Sequence, residues 1–152
     1  MPHIHDLIDF TVEAYIVKDG KILFIRHKIL KRWLPIGGHI ELDEDPEEAL
    51  FREVKEECGL DIRILGTVPS VQCEGTKVLH VPAFLDIHRF SETHRHVGMG
   101  YIATSESSDV KLNEEEHTDI RWLSNEDLDD PRYDLLPTIA YYAREALKRA
   151  AT

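Results

Sequence analysis

Glu53, Glu56 and Glu57 are spaced three and four residues apart, so on a helix their carboxylates would crowd one side of two adjacent turns. They close a stretch, GHIELDEDPEEALFREVKEECGL (residues 38–60), that places nine acidic side chains in twenty-three positions. Such crowding has two physical outcomes. Repulsion between exposed neighbours on a helix costs only about 0.2–0.5 kcal/mol per pair, which solvent, Arg52 and Lys55 could absorb. Three clustered oxygen donors are also what a hard divalent cation takes, with water or phosphate oxygens completing its shell. Helical spacing alone leaves both outcomes open.

The same stretch carries the signals of the element that would position these groups. Asp45 is a good N-cap, Pro46 suits the first helical position, and Glu48 stands three residues after the cap. Gly59 falls where a left-handed residue would end the helix, which is therefore predicted over Pro46–Cys58. Leu50, Val54 and Cys58, with Phe51 beside them, make the face that would pack on a sheet. Cys58 thus reads as a small buried side chain. With Cys73 it forms neither a disulfide framework nor a zinc pattern.

Around this helix the apolar periodicity predicts strands over residues 10–17 and 22–26, joined by the turn Lys18-Asp19-Gly20-Lys21. A basic loop runs from His27 to about Gly38. A short strand over 61–65 and an irregular connection over 66–76 follow the helix. Longer strands are predicted at 78–89 and 97–104, joined by a polar turn over 90–96. An acidic loop spans 105–118, and a strand 120–123. Ser124 opens a brief helix with Glu126 at capping spacing. The last helix, Pro137–Ala150, has Leu136, Ile139, Ala140, Ala143 and Leu147 as its apolar stripe. Residues 1–152 read as one α/β domain without repeats.

A formal net charge of −11 argues against holding nucleic acid through its phosphates. Action on smaller phosphate compounds would need a bound cation to reverse the local sign. The start MPHIHDLIDF lacks a basic region and a long apolar run, so no signal peptide is expected. No segment approaches the roughly 20 apolar residues of a membrane span. A cytoplasmic protein is the expectation. Pairing into a homodimer through edge strands or the N-terminal hairpin is compatible with the sequence but not specified by it.

The wider spacing favours the cation. Gly38, five residues, Glu44, seven residues, then Arg52-Glu53-Val54-x-Glu56-Glu57-x-Gly59-Leu60 resembles the Nudix box, G-x5-E-x7-R-E-U-x-E-E-x-G-U with U a bulky aliphatic residue, at every specified position. The approach Trp33-Leu34-Pro35-Ile36-Gly37-Gly38 and the later Arg121-Trp122-Leu123 fit the same family. The resemblance implies an α/β/α sandwich with a mixed central β-sheet. It also implies hydrolysis of a pyrophosphate bond in a nucleoside diphosphate linked to another group, with Mg²⁺ or Mn²⁺ as cofactor and a small nucleotide as partner.

By that resemblance Glu53, Glu56 and Glu57 are the expected metal ligands, joined by a backbone carbonyl at Gly37 or Gly38, with Gly38 preferred. Arg52 is expected to fix the direction of a neighbouring carboxylate, and Glu44, Gly37 and Gly59 to support the site. Glu116, in a late loop, is the preferred general base, with Glu53 or Glu56 as alternatives. For phosphate and base recognition the expected residues are Arg26, Lys28, Arg32 and Trp33, with Lys31 in the same basic cluster. The proline and tyrosine that mark ADP-ribose and dinucleoside polyphosphate hydrolases some sixteen to eighteen residues beyond the box are absent; Thr76, Lys77 and Val78 stand there. Nucleoside triphosphates and their relatives are therefore favoured. The competing readings are a nucleotide sensor of the same fold without turnover and, less favoured, an isopentenyl diphosphate isomerase lacking its expected cysteine and histidine set. His94-x-His96 has no third ligand at metal-site spacing and gives no zinc reading.

Overall fold

Strand β1 (Ile8–Lys18) alternates so that Val12, Ala14 and Ile16 enter one core while Tyr15 and Val17 enter another. Two separate cores require a sheet covered on both faces. The computed structural model describes residues 7–152; the opening residues of the segment read above as no signal peptide lie outside the described residues. At Asp19 and Gly20 the chain takes positive φ (49° and 72°), as a two-residue hairpin turn demands, and returns as β2 (Lys21–His27). Strand β3 (Trp33–Leu34) pairs with β2, and β4 (Ile36–His39) runs antiparallel to the first half of β1.

Helix α1 (Pro46–Cys58) follows, then β5 (Ile62–Ile64), β6 (Phe84–Arg89), β7 (Arg95–Ser105), β8 (His117–Leu123) and helix α2 (Pro137–Ala150). Strand β7 lies parallel to β1, from Ile8 opposite Arg95 to Val17 opposite Thr104, and carries β5 and β6 antiparallel on its far side. Strand β8 covers β2 antiparallel. The sheet is mixed. Ala49, Leu50, Val54 and Cys58 of α1 fill one core, and Ala143 and Ala146 of α2 fill the other with Phe24, Trp33, Phe84 and Tyr133. This is the expected α/β/α sandwich. No helix among the described residues is long and apolar enough to cross a membrane.

Several local expectations are corrected. The strand expected from residue 78 begins only at Phe84, because Pro82 cannot donate to a ladder and His80 is engaged by α1 instead. The loop expected over 27–38 contains β3 and β4, too short for periodicity to reveal. The brief helix after Ser124 is one 3-10 turn, Asp127–Asp129. Its start is tied by Asp127, whose carboxylate accepts from Ser124 N at 2.8 Å, and not by Glu126. Phe51 and Leu136 are exposed rather than part of a packed face.

Across the α2 face of the sheet the register brings Glu13 beside Gly100 and Asp86 beside Gly98. Tyr142 of α2 stacks on Phe84 with ring centroids 4.3 Å apart, and its hydroxyl donates to Asp86 at 2.9 Å. Glu13 therefore lies in a partly desolvated pocket beside another carboxyl. Burial first, and then Asp86, push its pKa up to about 7, with His88 opposing. A carboxyl whose folded pKa exceeds its unfolded value, near 4.5, holds its proton in the folded state alone between those limits. Stability from this group is thus full below pH 4.5 and declines as pH rises through 7. Glu13→Gln is expected to remove a loss on the order of 2–3 kcal/mol between those pH values. Denaturant melts across pH 4–8 measure it, and parallel profiles for variant and wild type would refute the assignment.

Candidate active site

Helix α1 is fixed at both ends. The Asp45 carboxylate accepts from Glu47 N and Glu48 N at 2.9 Å each, and Asp45 N donates back to Glu48 at 2.8 Å, a complete capping box with Pro46 at its start. At the other end Gly59 takes φ 75° and donates to the carbonyls of Val54 (3.2 Å) and Lys55 (3.1 Å). With its apolar face buried, the helix has no freedom to rotate its carboxylates away from β4.

Glu53 and Glu57 point at β4. Their side chains are 13% and 5% exposed, against 55% for Glu56, so only Glu56 meets the expectation of a solvated acid. Gly37 N donates to Glu57 Oε2 at 3.2 Å. A Cβ on Gly38 would lie 2.2 Å from Glu53 Oε1, and one on Gly37 would lie 2.2 Å from the carbonyl oxygen of Val12. Both glycines are therefore demanded by close approach, Gly38 to the carboxylate and Gly37 to the neighbouring strand.

Arg52 is the hub of the acidic cluster. Its Nε and Nη2 donate to the two oxygens of Glu44 (2.9 Å for Nη2), Nη1 donates to Glu53 at 2.9 Å and Glu56 at 3.3 Å, and Nη2 also reaches the His39 carbonyl at 3.1 Å. The hydrogen bonds from Arg52 hold the Glu44 carboxyl below its ordinary range. Burial raises Glu53 to about 7 despite the same guanidinium, with Glu57 and Glu56 adding to the rise. Burial likewise raises Glu57, opposed by His117 and the Gly37 amide. Buried carboxyls with raised pKa, facing glycine backbone, form a site poised for a counter-charge.

The late loop meets this cluster from strand β8. Glu57, Glu116 and His117 each bring a ligand-capable atom within 4.8 Å of the others. His117 Nε2 lies 3.1 Å from Glu57 Oε1, an ion-pair contact without the alignment of a hydrogen bond, and His117 is only 2% exposed. A bulge in the β2–β8 ladder, where Arg26 faces Asp119 but His27 faces His117, turns His117 inward. This residue was missed in the sequence. Its available signal was a histidine directly after Glu114-Glu115-Glu116, opposite His27 in the second strand.

The expected substrate residues are dispersed. Lys28 is committed to the late loop, with Nζ donating to the Glu114 carbonyl at 3.2 Å and its amide donating to Glu116 O at 2.9 Å. Arg26 is half-buried on β2, and Lys31 and Arg32 are exposed. Trp33 is 7% exposed, packed edge-on against Tyr133 with centroids 5.3 Å apart, which makes it a core ring rather than an open stacking platform. The segment around Lys77 is clasped to the start of α1 by Lys77–Asp45 (2.6 Å) and by His80, whose amide and ring Nδ1 both meet Glu47 Oε1.

With this geometry in place, likeness to known proteins is informative. The family model of the NUDIX domain matches residues 10–147. The CTP pyrophosphohydrolase of Escherichia coli (strain K12) is 31% identical over 109 residues, 67% of this chain and 81% of its own length. A probable DHNTP pyrophosphohydrolase of Lactococcus lactis subsp. cremoris is 28% identical over 112 residues, 70% of this chain but 60% of its own length. A crystal structure of a NUDIX-family hydrolase from Clostridium perfringens superposes with a TM-score of 0.79 at 34% identity, covering 93% of this chain and 97% of that one. The chain belongs to the Nudix hydrolase family.

Two glycine substitutions separate geometry from folding. Gly38→Ala must displace the Glu53 carboxylate, so whatever Mn²⁺ affinity these carboxylates confer is expected to fall about 10–100-fold. Gly59→Ala strains a left-handed cap and is expected to lower stability by about 1 kcal/mol with Mn²⁺ affinity unchanged. Calorimetric titration and thermal melts of both variants test this; equal losses of metal affinity would sink it.

Proposed function

We propose that this chain is a single-domain, metal-dependent hydrolase that cuts a pyrophosphate bond in a nucleoside triphosphate or a related nucleotide. The observation that carries the reading is the pairing of Glu53 and Glu57 against Gly37-Gly38, with Glu116 brought beside Glu57 by the late loop. The carboxylates of Glu53, Glu56 and Glu57 would hold Mg²⁺ or Mn²⁺, and the donor set fits: oxygens only, partly buried, with an excess of negative charge. Such an ion, when bound, neutralises phosphate oxygens and acidifies coordinated water.

The chain's own groups do the rest. Arg52 keeps Glu44, Glu53 and Glu56 in fixed directions, which saves the cost of ordering them when substrate arrives. Glu116, exposed at the edge of the site and close to Glu57, would take a proton from the attacking water, with His117 behind Glu57 supporting its direction. Exposed Lys31 and Arg32 on the loop before β3 supply positive field towards the polyphosphate. The two pyrophosphohydrolase relatives point to triphosphate substrates, with CTP and DHNTP the first compounds to try.

The test is a hydrolysis panel with Mg²⁺ and Mn²⁺ over nucleoside triphosphates, DHNTP, nucleotide sugars, ADP-ribose and dinucleoside polyphosphates. At least one compound should release a nucleoside monophosphate, or its pterin equivalent, and Glu57→Gln should reduce that turnover at least about 100-fold. Equal inertness of wild type and variant across the panel would defeat the reading, and tight nucleotide binding without turnover would favour a sensor instead.

A further inference from the structure

The face of the sheet opposite α1 carries a second concentration of metal-ligating side chains, which the hydrolytic reading does not use. Four adjacent strands each deliver one. His88 of β6 stands opposite His96 of β7, Asp9 of β1 stands opposite His96 on the other side, and His39 of β4 is the partner of Thr11 further along β1. His94, just before β7, supplies a fifth.

Ligand-capable atoms of Asp9, His94 and His96 all lie within 4.8 Å of one another. His94 Nε2 is 2.8 Å from Asp9 Oδ2, and His39 Nε2 is 3.5 Å from the same oxygen. Around the His96 ring the imidazoles of His39, His94 and His88 lie edge-on, with centroids 5.0, 5.3 and 5.5 Å away, while Phe90 stacks on its face at 4.8 Å. His96 is 7% exposed, and its Nε2 has no hydrogen-bond partner among the described residues. A buried ring nitrogen without a partner, among further imidazoles and a carboxylate, is an unusual arrangement for side chains that merely fill space.

We propose that Asp9, His94 and His96, with His39 as the neighbouring fourth donor, form a second metal site for a borderline divalent ion such as Zn²⁺. The donor chemistry separates it from the carboxylate site: imidazole nitrogens with one oxygen suit Zn²⁺, Co²⁺ or Ni²⁺, whereas Mg²⁺ prefers oxygen alone. Four-coordinate Zn²⁺ with ligands at about 2.0–2.1 Å holds donors roughly 3.3 Å from one another. Asp9 and His94 are already that close, His39 Nε2 stands 3.5 Å from Asp9, and a ring nitrogen of His96 lies within 4.8 Å of Asp9 and His94. The site is a clasp. It ties β7, β1 and β4 together at the end of the sheet, and His39, whose carbonyl accepts from Arg52 Nη2, directly follows Gly38. Metal here would brace the strand against which the acidic cluster is built. The sequence could not show it, because Asp9 lies 85 residues before His94 and only the parallel β1–β7 pairing unites them.

The test uses the full chain carrying Glu53→Gln and Glu57→Gln, which disables the carboxylate site and makes the outcome independent of hydrolysis. Zn²⁺ titration by calorimetry should give one equivalent bound, and Co²⁺ should develop visible absorption. Adding His94→Gln and His96→Gln should weaken Zn²⁺ binding at least about 100-fold, with circular dichroism showing that the fold persists. If that combination fails to fold, Asp9→Asn and ¹⁵N-histidine spectra of the chain without the histidine substitutions replace it; Zn²⁺ should shift the His94 and His96 ring nitrogens selectively. Absence of stoichiometric Zn²⁺ in the carboxylate-disabled chain, binding indifferent to the histidine substitutions, or ring nitrogens unmoved by Zn²⁺ would each overturn the proposal and leave a hydrogen-bonded histidine patch only.

Discussion

Everything at the acidic site depends on one guanidinium. With all four carboxyls ionised, Glu44, Glu53, Glu56 and Glu57 set four negative charges against the single charge of Arg52, leaving three uncompensated. Arg52 answers with a planar fork that reaches three carboxylates and the His39 carbonyl together. Lysine, a point charge on a flexible stem, could not hold these partners in fixed directions. The fork gives geometry without neutrality. Burial above all, with neighbouring carboxyls adding, raises the pKa values of Glu53 and Glu57, whose ionised forms are disfavoured until further positive charge arrives. That coupling of fixed direction to unmet charge gives the cluster donors that could hold a cation, whereas an exposed acidic helix would need none.

The cluster forms only because the helix can approach β4 without obstruction. Gly38 faces α1 and Gly37 faces the opposite way, as alternation in a strand requires, so each glycine removes a different clash. Strand β1, between β4 and β7, transmits the arrangement to the other face. Its inward residues on one side support α1, and those on the other include Glu13 and Asp9 among polar neighbours. The two faces therefore share a backbone while differing in chemistry. The junction is the peptide between Gly38 and His39, where one residue makes room for Glu53 and the next turns its ring towards Asp9 while its carbonyl holds Arg52.

What was legible in the sequence divides by range of interaction. The limits of α1 were fully legible, because the cap at Asp45, the proline at 46 and the glycine at 59 act within a few residues of themselves. The Nudix spacing was legible because all nine of its specified positions lie on that helix, at or just past its end, or in its approach. Strands β3 and β4 were not, since two and four residues cannot display a period. The late start of β6 was hidden because the engagement of His80 by Glu47 spans 33 residues. His117 and the histidines around His96 left only faint signals, a histidine after three glutamates and His94-x-His96, for the same reason: each takes its neighbours from a partner strand. Trp33 shows the converse case, a ring that local context left open to stacking or to burial beside Pro35 and that the α2 core claims.

The late loop and the basic loop are better regarded as one body than as two. His27 Nδ1 accepts from the amides of Ile29 and Leu30 at 3.2 and 3.1 Å, so the turn over 28–31 is held by an unprotonated imidazole. Burial, and then the neighbouring His117, lower the His27 pKa and favour that form. The Lys28 amide and ammonium bond to the carbonyls of Glu116 and Glu114, which fastens the turn to the acidic loop. The basic turn and the carboxyl at Glu116 are thereby carried on a common support, anchored through the His27–His117 ring contact at 5.8 Å. Relative motion of the two loops is then restricted. A displacement of one loop has to carry the other with it, whereas the segment around Lys77 and His80 is held separately, by the start of α1.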